Sequence, residues 1–331
     1  MEEAIVHKTK VKIDLIGLEK TLNELKEDYL KIGHRDNHEG RSRFSKWNNI
    51  NHTYKRILSG EYPSELDVNT GFALITITGA SKGNSSRVYY TPSITSLSKP
   101  FRKHIIPVND DSVFVFFDLS AAEFFMNCVF SGETEAILAY QNGEDIYKTY
   151  SHIFPKGTKR DVYKEALIGN MYGLTGYTLS ARMRQSGIAI TQTQAERLLN
   201  IVAAHLIKMT NRKKDVIVRA LRTRKYQCPN GFNMSDLVTI SVPKDGEDVN
   251  SLLALSTFVQ SALGLFMQSL IKDLDPRCKG TLITVFDSVL CEVKKESIDR
   301  YKNWAKKRIA PFKAGSFNVA STFYDAQEGI K

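Results

Sequence analysis

At 331 residues, with a formal charge of +10 and 42% hydrophobic residues, the chain can bury a large core and is not a disordered polycation. Its four cysteines, Cys128, Cys228, Cys278 and Cys291, form no C-x-x-C pair, which excludes a zinc ribbon or redox dithiol and leaves reduced packing residues. The opening MEEAIVHKTK has no apolar leader and no window approaches the ~18 apolar residues of a membrane span, so a cytoplasmic protein with no membrane is expected, its basic balance favouring a polyanionic partner.

In chain order, residues 15–32 place apolar side chains three and four apart between charges and predict an amphipathic helix. The polar, basic stretch HRDNHEGRSRFSKWNNINHTYKR reads as an exposed connector or as a surface tracking a phosphate backbone. Between Gly71 and Ser98, runs of Thr, Val, Ile and Tyr around GASKGNSS predict strands about a Gly/Ser-rich turn. The apolar run Val113–Phe117 predicts a buried strand that delivers Asp118 at its C-terminal end.

From Leu119 to Met209 the pattern is mainly helical, with breaks at Phe154–Thr158 and Gly173–Gly176. Residues 207–226 are strongly basic, either plain surface charge or a grip on nucleic acid. Residues 251–274 predict a buried core helix whose interspersed Ser and Gln argue against a membrane span. After DPRCKG, the segment TLITVFDSVLCEV predicts a second strand with Asp287 in its middle.

Chemistry is suggested in two places. An ionised carboxylate on a buried strand is costly unless paired or metal-bound, so Asp118 and Asp287 together admit a shared cation; an Asp at a strand end is also a common turn or cap residue. In KRDVYKEALIGNMYGLTGY, Arg160, Lys164, Ile168 and Tyr172 recur at four-residue steps. On a helix such a stripe drifts by about 40° per step, so the four share one slowly winding face. Two cations at one end and an aromatic at the other suit a nucleoside triphosphate, with Arg160 and Lys164 toward the phosphates and Ile168 and Tyr172 against the base. An amphipathic helix with exposed cations has the same pattern.

These residues carry a resemblance to the family A DNA polymerases. Asp118-Leu119-Ser120-Ala121-Ala122-Glu123 is similar to the family's first motif, D-x-S-x-x-E; Arg160, Lys164, Tyr172 and Gly173 match the second, R-x3-K-x7-Y-G; Val285-Phe286-Asp287-Ser288 stands where the third, H-D-E, falls. Weaker likenesses are Arg87 with the following YYTPSITSL, Arg102 ahead of the first motif, and Gln260 in TFVQSALGLFMQSL. The resemblance covers about residues 70–330.

The resemblance implies an α+β right-hand polymerase fold, with an antiparallel palm sheet, helical fingers and a short helical thumb. The expected division is an N-terminal helical, thumb-like region at 1–70, palm at 71–130 and 216–331, and fingers at 131–215. It implies template-directed DNA synthesis by two Mg²⁺ ions held by Asp118 and Asp287, with Lys164 also catalytic. Nucleotide binding would fall to Arg160, Lys164, Ile168, Tyr172, Ser120 and Glu123, with Glu123 gating against the ribose 2′-hydroxyl. Primer and template would meet Arg87, Arg102, Gln260 and Gly173.

Phe286 and Ser288 depart from the third motif's His and second acid, Phe125 stands where the first motif usually ends in Arg, and Ile168 occupies a position that is usually aromatic. The 117 residues before Asp118 are too few for a thumb plus a proofreading domain, so no nuclease is expected. A small thumb implies weak processivity alone and a processivity or replication partner, in a phage- or plasmid-like setting. The alternatives are a single-subunit phage-type RNA polymerase, which carries Gly where Glu123 stands, and an inactive nucleic-acid-binding relative.

Overall fold

Period-two alternation opens the fold. The computed structural model describes residues 6–32, 38–62, 64–67, 70–81, 88–91, 93, 97–185, 187–230, 233–241, 244–245, 248–249 and 251–329. Its first element is strand β1 (Val6–Asp14), where the 1–70 region was expected to be helical. His7, Thr9, Val11 and Ile13 are buried while Lys8 and Lys10 are exposed, as a one-face-buried antiparallel strand requires. Helix α1 (Leu15–Ile32) follows with the expected bounds. The stretch read as a connector is instead helix α2 (His38–Leu58). Its rare apolar residues have partners: Ile50 and Ile57 are buried, and Phe44 and Trp47 pack against Tyr29 of α1 at centroid distances of 5.2 and 6.3 Å, the Trp47 ring stacked and the Phe44 ring tilted.

Strands β2 (Ser64–Asp67), β3 (Phe72–Ser81) and β4 (Val88–Thr91), helix α3 (Lys99–Arg102), and strands β5 (Ile105–Ile106) and β6 (Ser112–Leu119) complete this part. The antiparallel order is β2-β3-β1-β5, with β4 also on β3. Contacts group these residues into a first unit spanning Met1–Lys82, Val88–Ser120 and Met267–Lys331, and Ala121–Phe266 into a second. Residues 216–266 of the expected palm segment therefore fall in the second unit.

The second unit is mainly helical: α4 (Ala122–Ser131), α5 (Thr134–Gln141), α6 (Arg160–Met171), α7 (Gly176–Gln185), α8 (Gln192–His205) and α9 (Ile207–Thr223). Thr191 and Gln194 form a capping box at the start of α8, satisfying two of its orphan N–H donors. Phe125 is buried and stacked on Tyr140 at 3.9 Å, an apolar setting with no room for the charge the family usually carries there. Strands β7 (Lys225–Asn230) and β8 (Asn233–Ser241) form a hairpin, β9 (Lys244–Asp245) pairs with β10 (Asp248–Val249), and α10 (Ser251–Leu274) has the predicted bounds. No helix among the described residues is long and apolar enough to cross a membrane.

The chain returns to the first unit within α10, at Met267, and continues with β11 (Leu282–Val285), β12 (Ser288–Lys294), α11 (Ile298–Arg308), β13 (Ala314–Ala320) and α12 (Phe323–Glu328). A four-stranded antiparallel sheet runs β11-β12-β6-β13. The β6 residues Phe114, Val115, Phe116, Phe117 and Leu119 are all buried, because this strand lies between neighbours and is covered on both faces. Truncating Phe114 or Phe117 to Ala would cost about 3–5 kcal/mol. Phe114, Phe116, Ile283 and Leu290 share one core with Val11, Ile13, Ile75 and Ile77 of the first sheet.

Within the same unit, the carboxylate of Glu292 is fully buried. It accepts the N–H groups of Val108, Asn109 and Thr281 at 2.8–3.0 Å, which satisfy its oxygens in the interior.

Candidate active site

Asp118 is the penultimate residue of β6, at the C-terminal end of the strand as the sequence predicts. It is only partly buried, so its charge keeps contact with water. Asp287 differs from expectation: TLITVFDSVLCEV is two strands, and Phe286-Asp287 is the turn between them, closed by the Val285/Ser288 pair. The turn needs a positive φ, and Phe286 supplies it at +57°, a costly choice for a non-glycine residue. The Phe286 side chain is 65% exposed. Ser288, where the family has a second acid, donates its hydroxyl to the carbonyl of Val285 at 2.7 Å and tightens the turn.

Register brings the two aspartates together. Ser288 pairs with Asp118 across the sheet, and the N–H of Leu119 donates to the carbonyl of Asp287 at 2.9 Å. On the other side β13 shifts register between Ala314 and Ser316. There Ser316 Oγ donates to Asp118 Oδ1 at 3.0 Å, and the N–H of Ser120 donates to Lys313 O at 2.7 Å. Gly315 sits against the same carboxylate: a Cβ on it would lie 2.8 Å from Asp118 Oδ2, so only glycine fits without moving Asp118.

Among the described residues, no group of three or more His, Cys, Asp or Glu side chains could hold a metal. Two carboxylates nevertheless suit Mg²⁺, which takes one or two protein carboxylates and fills its octahedron with water and substrate phosphate oxygens. Asp118, near the end of β6, and Asp287, in the neighbouring turn, are both partly exposed and are the donors that fit.

In the second unit, α6 carries the predicted stripe. Arg160 stands at its first position and Lys164 one turn on; their charged groups lie 5.4 and 5.8 Å from the centroid of the Tyr147 ring. Asp145, not foreseen from the sequence, pairs with Arg160 at 2.5 Å and also accepts the N–H of Tyr147 at 3.0 Å. Burial alone would raise the Asp145 pKa; the bond from Arg160 and that N–H outweigh it, and the pKa is lowered. The Arg160 pKa is raised by its hydrogen bond to Asp145. No side chain caps the start of α6, where the positive end of the helix dipole adds to the two cations.

At the other end of α6, Ile168 is half-buried and Tyr172 is the C-cap residue. The Tyr172 hydroxyl donates to Glu123 Oε2 in the first turn of α4. Gly173 turns the chain at φ +68°, a conformational role that needs no ligand. Helix α4 is itself entered through Ala121 at φ +47°, another left-handed non-glycine residue.

The remaining expected residues vary. Arg102 is half-buried, donating Nε to Leu97 O at 2.8 Å and Nη1 to Gln327, with its guanidinium 5.6 Å from the centroid of the Phe323 ring; burial lowers its pKa. Gln260 is half-buried on α10. Arg87 lies outside the described residues. Asp145, Gly315 and Ser316 left no signal in local pattern, because each acts on a residue distant in the chain or across a sheet.

The family described as DNA polymerase family A matches this chain over residues 5–322. Among solved structures, the chain is similar to the POL domain of Pol1 from M. smegmatis, in complex with DNA primer-template and dNTP. The TM-score is 0.69 at 15% identity, covering 96% of this chain and 68% of that one, a likeness of fold. No curated protein matches.

Proposed function

Because the chain belongs to DNA polymerase family A, we propose that it extends a primer 3′-hydroxyl with dNTPs on a DNA template, using Asp118 and Asp287 as metal-binding carboxylates. The observation that carries this is the bond from Leu119 N–H to Asp287 O, which sets two distant aspartates on adjoining backbone. Two Mg²⁺ ions bound there would supply an activated 3′-hydroxyl and charge stabilisation on the departing pyrophosphate.

The chain's own residues do the rest. Arg160 and Lys164 neutralise triphosphate charge, and Lys164 holds a proton at Nζ for the leaving group. Ile168 and Tyr172 pack against the base, while Glu123, held by the Tyr172 hydroxyl, faces the sugar and rejects a 2′-hydroxyl. Ser120 lies between these two carboxylate positions in sequence and binds nucleotide through its polar groups. Arg87, Arg102, Gln260 and Gly173 line the primer and template strands, whose backbones are gripped without regard to sequence. Processivity is left to a partner protein.

Extension of a labelled primer in Mg²⁺ tests the reading. Asp118→Asn and Asp287→Asn are each expected to slow extension by about 10³-fold or more, the several kcal/mol of charge stabilisation a metal supplies. Wild-type rates in either variant, or preferential use of rNTPs by the unaltered chain, would overturn it. The reading includes no nuclease step, and degradation of the primer without dNTPs would contradict that part.

A further inference from the structure

Helix α9 braces the C-terminal ends of two other helices of the second unit, α4 and α6. The N–H of Met209 donates to Glu133 Oε1 at 2.8 Å and Lys208 Nζ to Gly132 O at 2.9 Å, which fixes the C-terminal end of α4. One turn on, Lys213 reaches α6: its Nζ donates to Asn170 O at 3.0 Å and to Asn170 Oδ1 at 3.4 Å. Asn170 is 4% exposed and lies in the last turn of α6, two residues before Tyr172.

Three features make this more than incidental surface charge. The ammonium is half-buried, and it sits where the negative dipole end of α6 rewards a cation. The Asn170 amide nitrogen is buried with no partner among the described residues, while its oxygen faces Lys213. Finally, Asn170 O also accepts the N–H of Gly173 at 3.2 Å, so Lys213 grips the turn from which Tyr172 projects to Glu123.

We propose that Lys213 is a positioning residue for sugar selection: through Asn170 it fixes the last turn of α6, and so the angle at which the Tyr172 hydroxyl holds Glu123. The proposal rests on the reading of Glu123 as the carboxylate that faces the nucleotide sugar. Lys213 itself touches neither nucleotide nor metal in this scheme.

The experiment compares single-nucleotide incorporation of dATP and ATP on a primed DNA template by wild type, Lys213→Met, Lys213→Arg, Tyr172→Phe and the Lys213→Met/Tyr172→Phe double variant. Lys213→Met is expected to lower dATP-over-ATP selection about tenfold while changing kcat for dATP about twofold, as loss of one charge-assisted bond predicts. Lys213→Arg should restore most of the selection. The double variant should select no worse than Tyr172→Phe alone, since both act through one contact.

Unchanged selection in Lys213→Met, or losses that multiply in the double variant, would overturn the proposal. Should Lys213→Met fail to fold, Asn170→Ala removes one of the two acceptors and is expected to cost about threefold in selection; no loss there overturns it equally. Wild type that does not distinguish dATP from ATP removes the Glu123 reading and this proposal together. Selective wild type with selective Lys213→Met removes this proposal alone.

Discussion

Asp118 and Glu123 stand close together in sequence and are held by opposite means. Asp118 is placed by main chain: strands pair on both sides of it, Leu119 and Ser120 are tied to Asp287 and Lys313, and Gly315 leaves no slack against its carboxylate. Glu123 stands in the first turn of a helix entered through a left-handed alanine, and the Tyr172 hydroxyl reaches it from the end of another helix. In the proposed roles, a carboxylate that holds cations at fixed spacing gains from a sheet. One that judges a substituent on the incoming sugar can be set by adjustable side chains.

The contrast can be broken most severely at Gly315. Gly315→Val should displace the Asp118 carboxylate and lower the extension rate by about 100-fold, with dNTP-over-rNTP selection unchanged among the products still made. Equal loss of rate and selection would show that the two carboxylates are not held independently. Tyr172→Phe comes next: selection should fall about tenfold with a smaller change in rate, measured by competing dNTP and rNTP on one primer.

Ser316→Ala sharpens the comparison from the other side, since it also deletes one hydroxyl bonded to a carboxylate. Because the ladder still holds Asp118, extension should slow only about threefold. A Ser316→Ala effect as large as that of Gly315→Val would mean that the hydroxyl, not the main chain, sets the carboxylate.

Much of this was legible in the chain. The apolar run before Asp118 announced a buried strand, the spacing of Arg160, Lys164, Ile168 and Tyr172 announced one helical face, and α1 and α10 had the bounds their patterns gave. The three motifs supplied the family. Strand β1 was readable in principle, since VHKTKVKID alternates lysine with buried positions, but its polar composition hid the period.

Other features had no local signature. Phe286-Asp287 carries none of the Gly or Asn that marks a tight turn, so a hairpin looked like one strand. The few apolar residues of α2 look like a linker until Tyr29 is seen beside Phe44 and Trp47. The Arg160–Asp145 pair, the Gly315 contact and the Lys213–Asn170 bond join residues whose neighbourhood exists only after folding.

The turn at Phe286 also bears on how this chain can change by mutation. A bulky residue at φ +57° with most of its ring in water is disfavoured twice, so Gly or Asn there should stabilise the fold by about 1 kcal/mol, read as a higher Tm. A library screened only for heat resistance should drift to those residues at position 286. One screened for DNA synthesis should hold the aromatic, and the gap between the two outcomes would measure how far selection for catalysis opposes selection for stability at a single site.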